Sequence, residues 1–288
     1  TKFDLDLDLD NFNYSKMSVS VEKVTKDTYL KIFDNILSNT DLQPANNDVL
    51  ESEVKLALNN ERFDFNLGMS AFENLQEPSS DRYQFVLPYY DFSTNLLSNN
   101  YGFLDFNSKG SNDLKNTNNL RTKVINNFNF ITMDKIFYDY GNINNFGLHF
   151  KNTNAIGKNS PRYSSDPQLD LMGIFEFNSS LPLIKQNDIY SSSLTPKVSF
   201  RINPNNMKKH TNDDRIITAD NIFNIDRLSI DDSFESGKSI TYGVDFRREN
   251  VNDANRYTQL NLASVIRDVE ESNIPKKTTL NKKNSNIF

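Results

Sequence analysis

The chain has 288 residues, a formal charge of -6 from 32 Lys and Arg against 38 Asp and Glu, and a mean hydropathy of -0.63. That balance gives no basic footprint for nucleic acid, and the absence of cysteine removes disulfides, zinc-thiolate sites and thiol catalysis. No window approaches about 18 consecutive apolar residues, which excludes a helical span, whereas a barrel strand needs only about 10 residues with half of them facing a lumen.

The run from Thr1 has neither a basic nor an apolar leader, and we read the chain as an internal piece of a longer exported protein. Phe3, Leu5, Leu7 and Leu9 alternate with Asp4, Asp6, Asp8 and Asp10, the period of a strand. These aspartates lack the turn glycine and the bidentate glutamate of a calcium loop, so they read as a solvated strand face. Met17, Val19 and Val21 continue the alternation, Lys26 to Asn47 reads as loop, and a new alternating set runs from Val49 to Leu58. Phe63, Phe65, Leu67, Met69 and Ala71 form the clearest apolar face. In the strand candidate Asp81 to Leu97, Pro88 predicts a bulge or a strand end, because it brings no amide hydrogen to the ladder.

Tyr101 to Ser108, Leu120 to Met133, Ile136 to Lys151, Gln168 to Ser179 and Gln259 to Arg267 are further strand candidates. Asn116 to Asn119, Thr153 to Pro167 and Asn203 to Thr218 read as loops. The stretch Leu194 to Arg247 reads as a strand, a long structured loop and a strand: Val198, Phe200 and Ile202 oppose Lys197, Ser199 and Arg201, and Ile240, Tyr242, Val244 and Phe246 oppose Ser239, Thr241, Asp245 and Arg247. With about a dozen strands and no helical period or repeated motif, the expected fold is all-β.

Little of this resembles a reaction centre. His149 falls on the polar side of its strand and His210 in a polar loop, no Gly-rich phosphate loop is present, and the expectation is a non-enzyme without cofactor or metal. The polar strand faces carry Arg121, Lys123, Lys151, Lys197, Arg201 and Arg247. Lining a lumen, they would offer donors to phosphates and carboxylates, or pair with neighbouring Asp and Glu and leave a neutral channel. Tyr83, Tyr89, Tyr90, Phe92, Tyr101 and Tyr138 stand near strand ends, as in aromatic girdles or in the core of a soluble sandwich.

Three phrases carry a resemblance: Asp27 to Phe33 (Asp-Thr-Tyr-Leu-Lys-Ile-Phe), Tyr83 to Phe92 with its Leu87-Pro88, and Leu194-Thr195-Pro196 followed by Asp226-Arg227-Leu228-Ser229 and by Gly237 to Gly243. In order and wording they resemble the barrel of the LPS-assembly outer-membrane protein family, LptD. The resemblance implies an antiparallel transmembrane β-barrel in the outer membrane, with residues 1–288 forming part of one barrel domain and both the periplasmic domain and the closing strands outside it. It further implies lipopolysaccharide as cargo, periplasmic LPS bridge components that supply it, an LptE-like lipoprotein plug, and outer-membrane lipid around the barrel. Asp226 to Ser233 departs from the family phrase by lacking its Gly and second Arg. Arg227 is therefore expected to anchor the loop by pairing with Asp226 or Asp231. A porin-like barrel and a soluble β-sandwich binding module are the alternative readings.

Overall fold

Alternating sequence becomes strand almost everywhere it occurs. A computed structural model describes residues 1–33, 44, 46–116, 118–137, 139–212, 214–215, 217–275, 277–278 and 284. In chain order the elements are β1 (Lys2–Asp6), β2 (Tyr14–Ser20), α1 (Tyr29–Ile32), β3 (Val49–Asn59), β4 (Phe63–Asn74), β5 (Tyr83–Asn99), β6 (Gly102–Lys115), β7 (Asn119–Thr132), β8 (Lys135–Phe137), β9 (Asn142–Lys158), β10 (Gln168–Ser180), β11 (Leu183–Gln186), β12 (Tyr190–Asn203), β13 (Asp214–Arg215), β14 (Gly237–Asn250), β15 (Asp253–Arg267) and β16 (Lys277–Thr278).

Fourteen strands form one antiparallel meander in the order β1-β2-β3-β4-β5-β6-β7-β9-β10-β12-β14-β15, with β8 on β9 and β11 on β12. The sheet is open: β1 and β15 stand at its two edges and do not pair with each other. β13 and β16 form a separate parallel pair. The chain divides into two compact units, one of Thr1–Leu96, Asp105–Asn127 and Asn152–Asp170, the other of Leu97–Leu104, Phe128–Lys151 and Leu171–Phe288.

Several boundaries differ from the sequence expectation, each for a local reason. The first alternating run stops at Asp6, and Asp8 turns the chain with φ 45°. Ile136 to Lys151 is not one strand: Gly141, at φ 80°, makes the turn between β8 and β9, a conformation that costs glycine little. The first part of the loop expected at 153–167 is strand, since β9 runs on to Lys158. Its asparagines satisfy one another across and along the sheet, with Asn126 Nδ2 donating to Asn152 Oδ1 at 3.1 Å and Asn154 Nδ2 to the same oxygen at 2.6 Å. β11 escaped notice because it is four residues long and follows Pro182. Pro88 does sit at a bulge: Gly68 faces Tyr89 and Ser70 faces Val86, leaving Leu87 and Pro88 opposite Met69. At the start of the expected 26–47 loop, α1 buries Leu30 against Leu50 and Leu75, while 34–43 and 45, like Tyr138, lie outside the described residues.

In the first unit the two faces of β4 are used in reverse of a soluble sheet. Leu67 and Met69 are exposed, at 38% and 53%, whereas Gly68 and Ser70, which alternate with them, are buried. The register continues the apolar set, with Leu67 beside Leu56 and Met17, and Met69 beside Val54 and Val19. On the other face the Tyr89 ring lies directly over Gly68, where a β-carbon would collide with it, and its hydroxyl donates to Glu53.

Candidate functional site

The same reversal organises the second unit, in which β10, β12, β14 and β15 lie side by side. On one face the apolar side chains stand bare: Phe175, Val198, Ile240, Tyr242, Leu260, Leu262 and Ile266 are all exposed. On the opposite face Glu176, Ser199, Arg201, Ser239, Thr241 and Arg267 are buried, Ser199 and Thr241 completely. What covers them is the segment 204–236 between β12 and β14.

This segment is held first by apolar contact. Met207, Ile217, Ile222, Leu228 and Ile230 join Ala263 and Val265 of β15 in one buried cluster. Burial of an aliphatic side chain of this size contributes roughly 1.5–3 kcal/mol. Phe223 packs against the same cluster and reaches Gly243, where an added β-carbon would come within 3.1 Å of the ring. Gly243 thus gives the loop its close approach to the sheet. A second cluster seats Phe234 on Met172 and Ile174 of β10.

Charge fixes what apolar contact leaves free to slide. Arg227 grips Glu235 in a fork, Nε and Nη2 donating to the two carboxylate oxygens at 2.7 Å each, and its Nη1 donates to Thr241 Oγ1 at 2.8 Å. Arg267 donates to the same carboxylate from β15. Glu235 is therefore one acid between two buried guanidiniums. Burial pushes its pKa up, but the charges of Arg227 and Arg267 outweigh this and hold it down at about 2. Arg201 pairs with Glu176 at 2.8 Å and donates to the Phe223 carbonyl, tying the loop backbone to β12. Lys151 Nζ donates to the carbonyls of Ile230 and Asp231 at 3.1 and 2.7 Å and lies 4.2 Å from the Phe234 ring centroid. His210 Nε2 stands 3.2 Å from Asp232 Oδ1, both side chains buried.

The basic residues singled out in the sequence divide accordingly. Lys151 and Arg201 hold the loop, while Lys197 pairs with Asp245 at 2.6 Å and lies 4.4 Å from the Phe223 ring. Arg247 shares that face but is exposed, paired with Glu249 at 2.9 Å and stacked on Tyr257. Arg121 and Lys123 lie on β7 in the first unit. Arg227 is an anchor, but neither expected carboxylate is its partner. The Asp226 carboxylate accepts the Ile230 amide at 3.0 Å, closing the turn at Ser229, and the Asp231 carbonyl is taken by Lys151. Sequence reasoning missed Glu235, Glu176 and Arg267. The available signal for Glu235 was an acid in the otherwise uncharged Ser233–Gly237 stretch leading into a strand. For Arg267 it was a cation on the same strand face as Ala263 and Val265.

The bare face carries a groove of about 540 Å³ lined by Ser179, Pro196, Val198, Tyr242, Leu262 and Ser264 among others. It opens where small or ring-closed side chains interrupt rows of larger ones. Among the described residues no group of three or more His, Asp or Glu is placed to hold a metal ion. No family model matches this chain. No curated protein matches it either.

Proposed function

We propose that the chain is part of an outer-membrane β-barrel that delivers lipopolysaccharide to the outer leaflet, with the bare face toward lipid, the covered face toward the lumen and the 204–236 segment as an internal plug. The observation that carries this reading is the reversed use of the sheet: polar residues are buried under the loop and apolar ones are left uncovered. A water-soluble sheet buries its apolar face, and an uncovered one of this extent needs a nonaqueous partner. Hydrocarbon supplies it.

The dimensions agree. Cross-strand rows on the bare face run from Lys238 beside Asp268, through the rows of Ile240, Tyr242, Val244 and Phe246, to Arg248. At about 3.4 Å per residue the ten-residue step between the charged ends is about 34 Å along the strand. At the usual barrel tilt of about 40° this is about 26 Å along the normal, the height of an outer-membrane apolar band. In this reading the edges at β1 and β15 pair with further strands, because hydrocarbon cannot satisfy open backbone groups.

Lipopolysaccharide as cargo rests on the LptD resemblance, above all the Leu194 to Gly243 segment, whose loop and flanking strands make up the plug and its seat. Periplasmic bridge components would bring the lipid and an LptE-like lipoprotein would complete the barrel. No bond is made or broken in transport. Depleting the full-length protein should strand intact lipopolysaccharide on the periplasmic side, read as reduced surface labelling at unchanged total amount. Normal surface lipopolysaccharide with reduced small-solute permeability would instead identify a porin.

A further inference from the structure

We infer that the bare face of the second unit carries a binding site for an anionic phospholipid, its phosphate held between Lys185 and Arg248 and an acyl chain lying in the groove beside Pro196 and Tyr242. The register places these groups. Lys185 faces Ser192, Ser192 faces Arg248, and Arg248 faces Thr258, so two cations and two hydroxyls form one row across four strands. The next row on the same face is Leu183, Leu194, Phe246 and Leu260, entirely apolar. The chain thus passes from hydrocarbon-compatible to phosphate-compatible chemistry in a single step of two residues.

Charge complementarity identifies the occupant as anionic. Arg248 lies 4.0 Å from the Tyr190 ring centroid, which orients its guanidinium without neutralising it. Among the described residues neither Lys185 nor Arg248 has a carboxylate partner. The nearby acids are placed elsewhere: Glu249 pairs with Arg247 on the covered face, Asp253 pairs with Arg256, and Asp188 sits in the turn between β11 and β12. At the opposite end of the same strand Lys238 stands in register beside an acid, Asp268, whose carboxylate accepts the Lys238 backbone amide at 3.2 Å. One end row of the bare face thus holds an acid beside its cation, while the Lys185–Arg248 row holds two cations and no acid.

The groove supplies the second half. It lies in the rows of Pro196 and Val198, four to six residues along β12 from Ser192, or about 13–20 Å at strand rise. This is within reach of an acyl chain whose headgroup sits at the cationic row. Its volume of about 540 Å³ and its apolar lining suit a chain rather than a sugar or a soluble anion. The cations fix the headgroup, and the dip between Val198, Tyr242 and Leu262 fixes the tail.

This inference rests on the membrane reading above, and the test separates the two. The full-length protein is reconstituted in phosphatidylcholine vesicles doped with spin-labelled phosphatidylglycerol, and the relative association constant of the labelled lipid is measured. Each cation removed, in Lys185→Gln and Arg248→Gln, should lower it about fivefold, and Ser264→Phe, which fills the groove, should lower it with both cations intact. Lys238→Gln should leave it unchanged. In the same vesicles a single cysteine at Tyr242, labelled with a fluorophore, reports contact with a quencher on the lipid chains. Absence of quenching there would refute the membrane reading itself. Quenching together with phosphatidylglycerol selectivity untouched by the double cation variant would refute only the site. Full displacement by inorganic phosphate would show a soluble-anion site and overturn the lipid assignment.

Discussion

Glu235→Gln tests the plug most sharply, because it removes one charge and almost no volume. In the folded protein that carboxylate receives Arg227 in a fork and Arg267 from β15, and both guanidinium side chains are 1% exposed. The amide can accept from one arginine but cannot neutralise either, so two buried cations are left facing each other. Breaking a buried pair by removing one partner costs about 3–5 kcal/mol, which corresponds to a factor of roughly 100 to several thousand in the opening equilibrium of the loop. In the membrane reading proposed above the strands are held by the ladder and by lipid, so opening should be local. Hydrogen exchange on the reconstituted protein should show the amides of 222–235 losing protection while those of β12 and β14 keep theirs. The triple change Arg227→Met, Glu235→Leu, Arg267→Met should restore protection, since a well-packed apolar set replaces a buried ionic one at little or no cost. Unchanged protection in Glu235→Gln would refute the claim that this carboxylate holds the loop.

The pH dependence follows from the same group. Its folded pKa of about 2 lies below the unfolded value of about 4.3, so its stabilisation is complete above the unfolded value and is lost as pH falls toward 2; loop protection should hold from pH 7 to about 5 and decline below about 4. Gly243→Val should press on the Leu262 carbonyl of β15 and on the Phe223 ring, an overpacking that costs about 1–3 kcal/mol and is visible as loss of amide protection in the loop and where β14 meets β15. Leu67→Arg on the exposed side of β4 should cost about 2–4 kcal/mol of folding stability in a bilayer, while Asn66→Arg beside it should cost far less, as measured by urea unfolding from lipid vesicles. Arg247→Ala should change stability by no more than about 1 kcal/mol, as for an exposed pair.

Strand existence was legible wherever the two-residue period was unbroken, because alternation writes both the element and its faces into the chain. Leu194 to Arg247 was read as strand, ordered loop and strand, and is built that way. Composition misled where the period was carried by small or amide side chains: Thr153 to Lys158 reads as loop because asparagine favours turns, yet it extends β9. The ion network was only half legible. Arg227 advertised itself through its neighbours, but the carboxylate it needs lies eight residues away at Glu235, and the second guanidinium comes from β15. Pairing across that distance is decided by how the loop folds back on the sheet, which no local pattern specifies. Which alternating face meets lipid was likewise open, since a soluble sandwich shows the same alternation. The loop on the polar face is what supports the membrane reading proposed above over the sandwich.

The central claim is that the bare face meets hydrocarbon, and β14 offers a direct test because the chain contains no cysteine of its own. Single cysteines placed in turn from Lys238 to Arg248, each labelled with an environment-sensitive fluorophore in full-length protein reconstituted into vesicles, can be quenched by brominated acyl chains. The account predicts strong quenching at Ile240, Tyr242, Val244 and Phe246 and little at Ser239, Thr241, Gly243 and Asp245. Equal quenching at odd and even positions, or quenching confined to the odd ones, would contradict it.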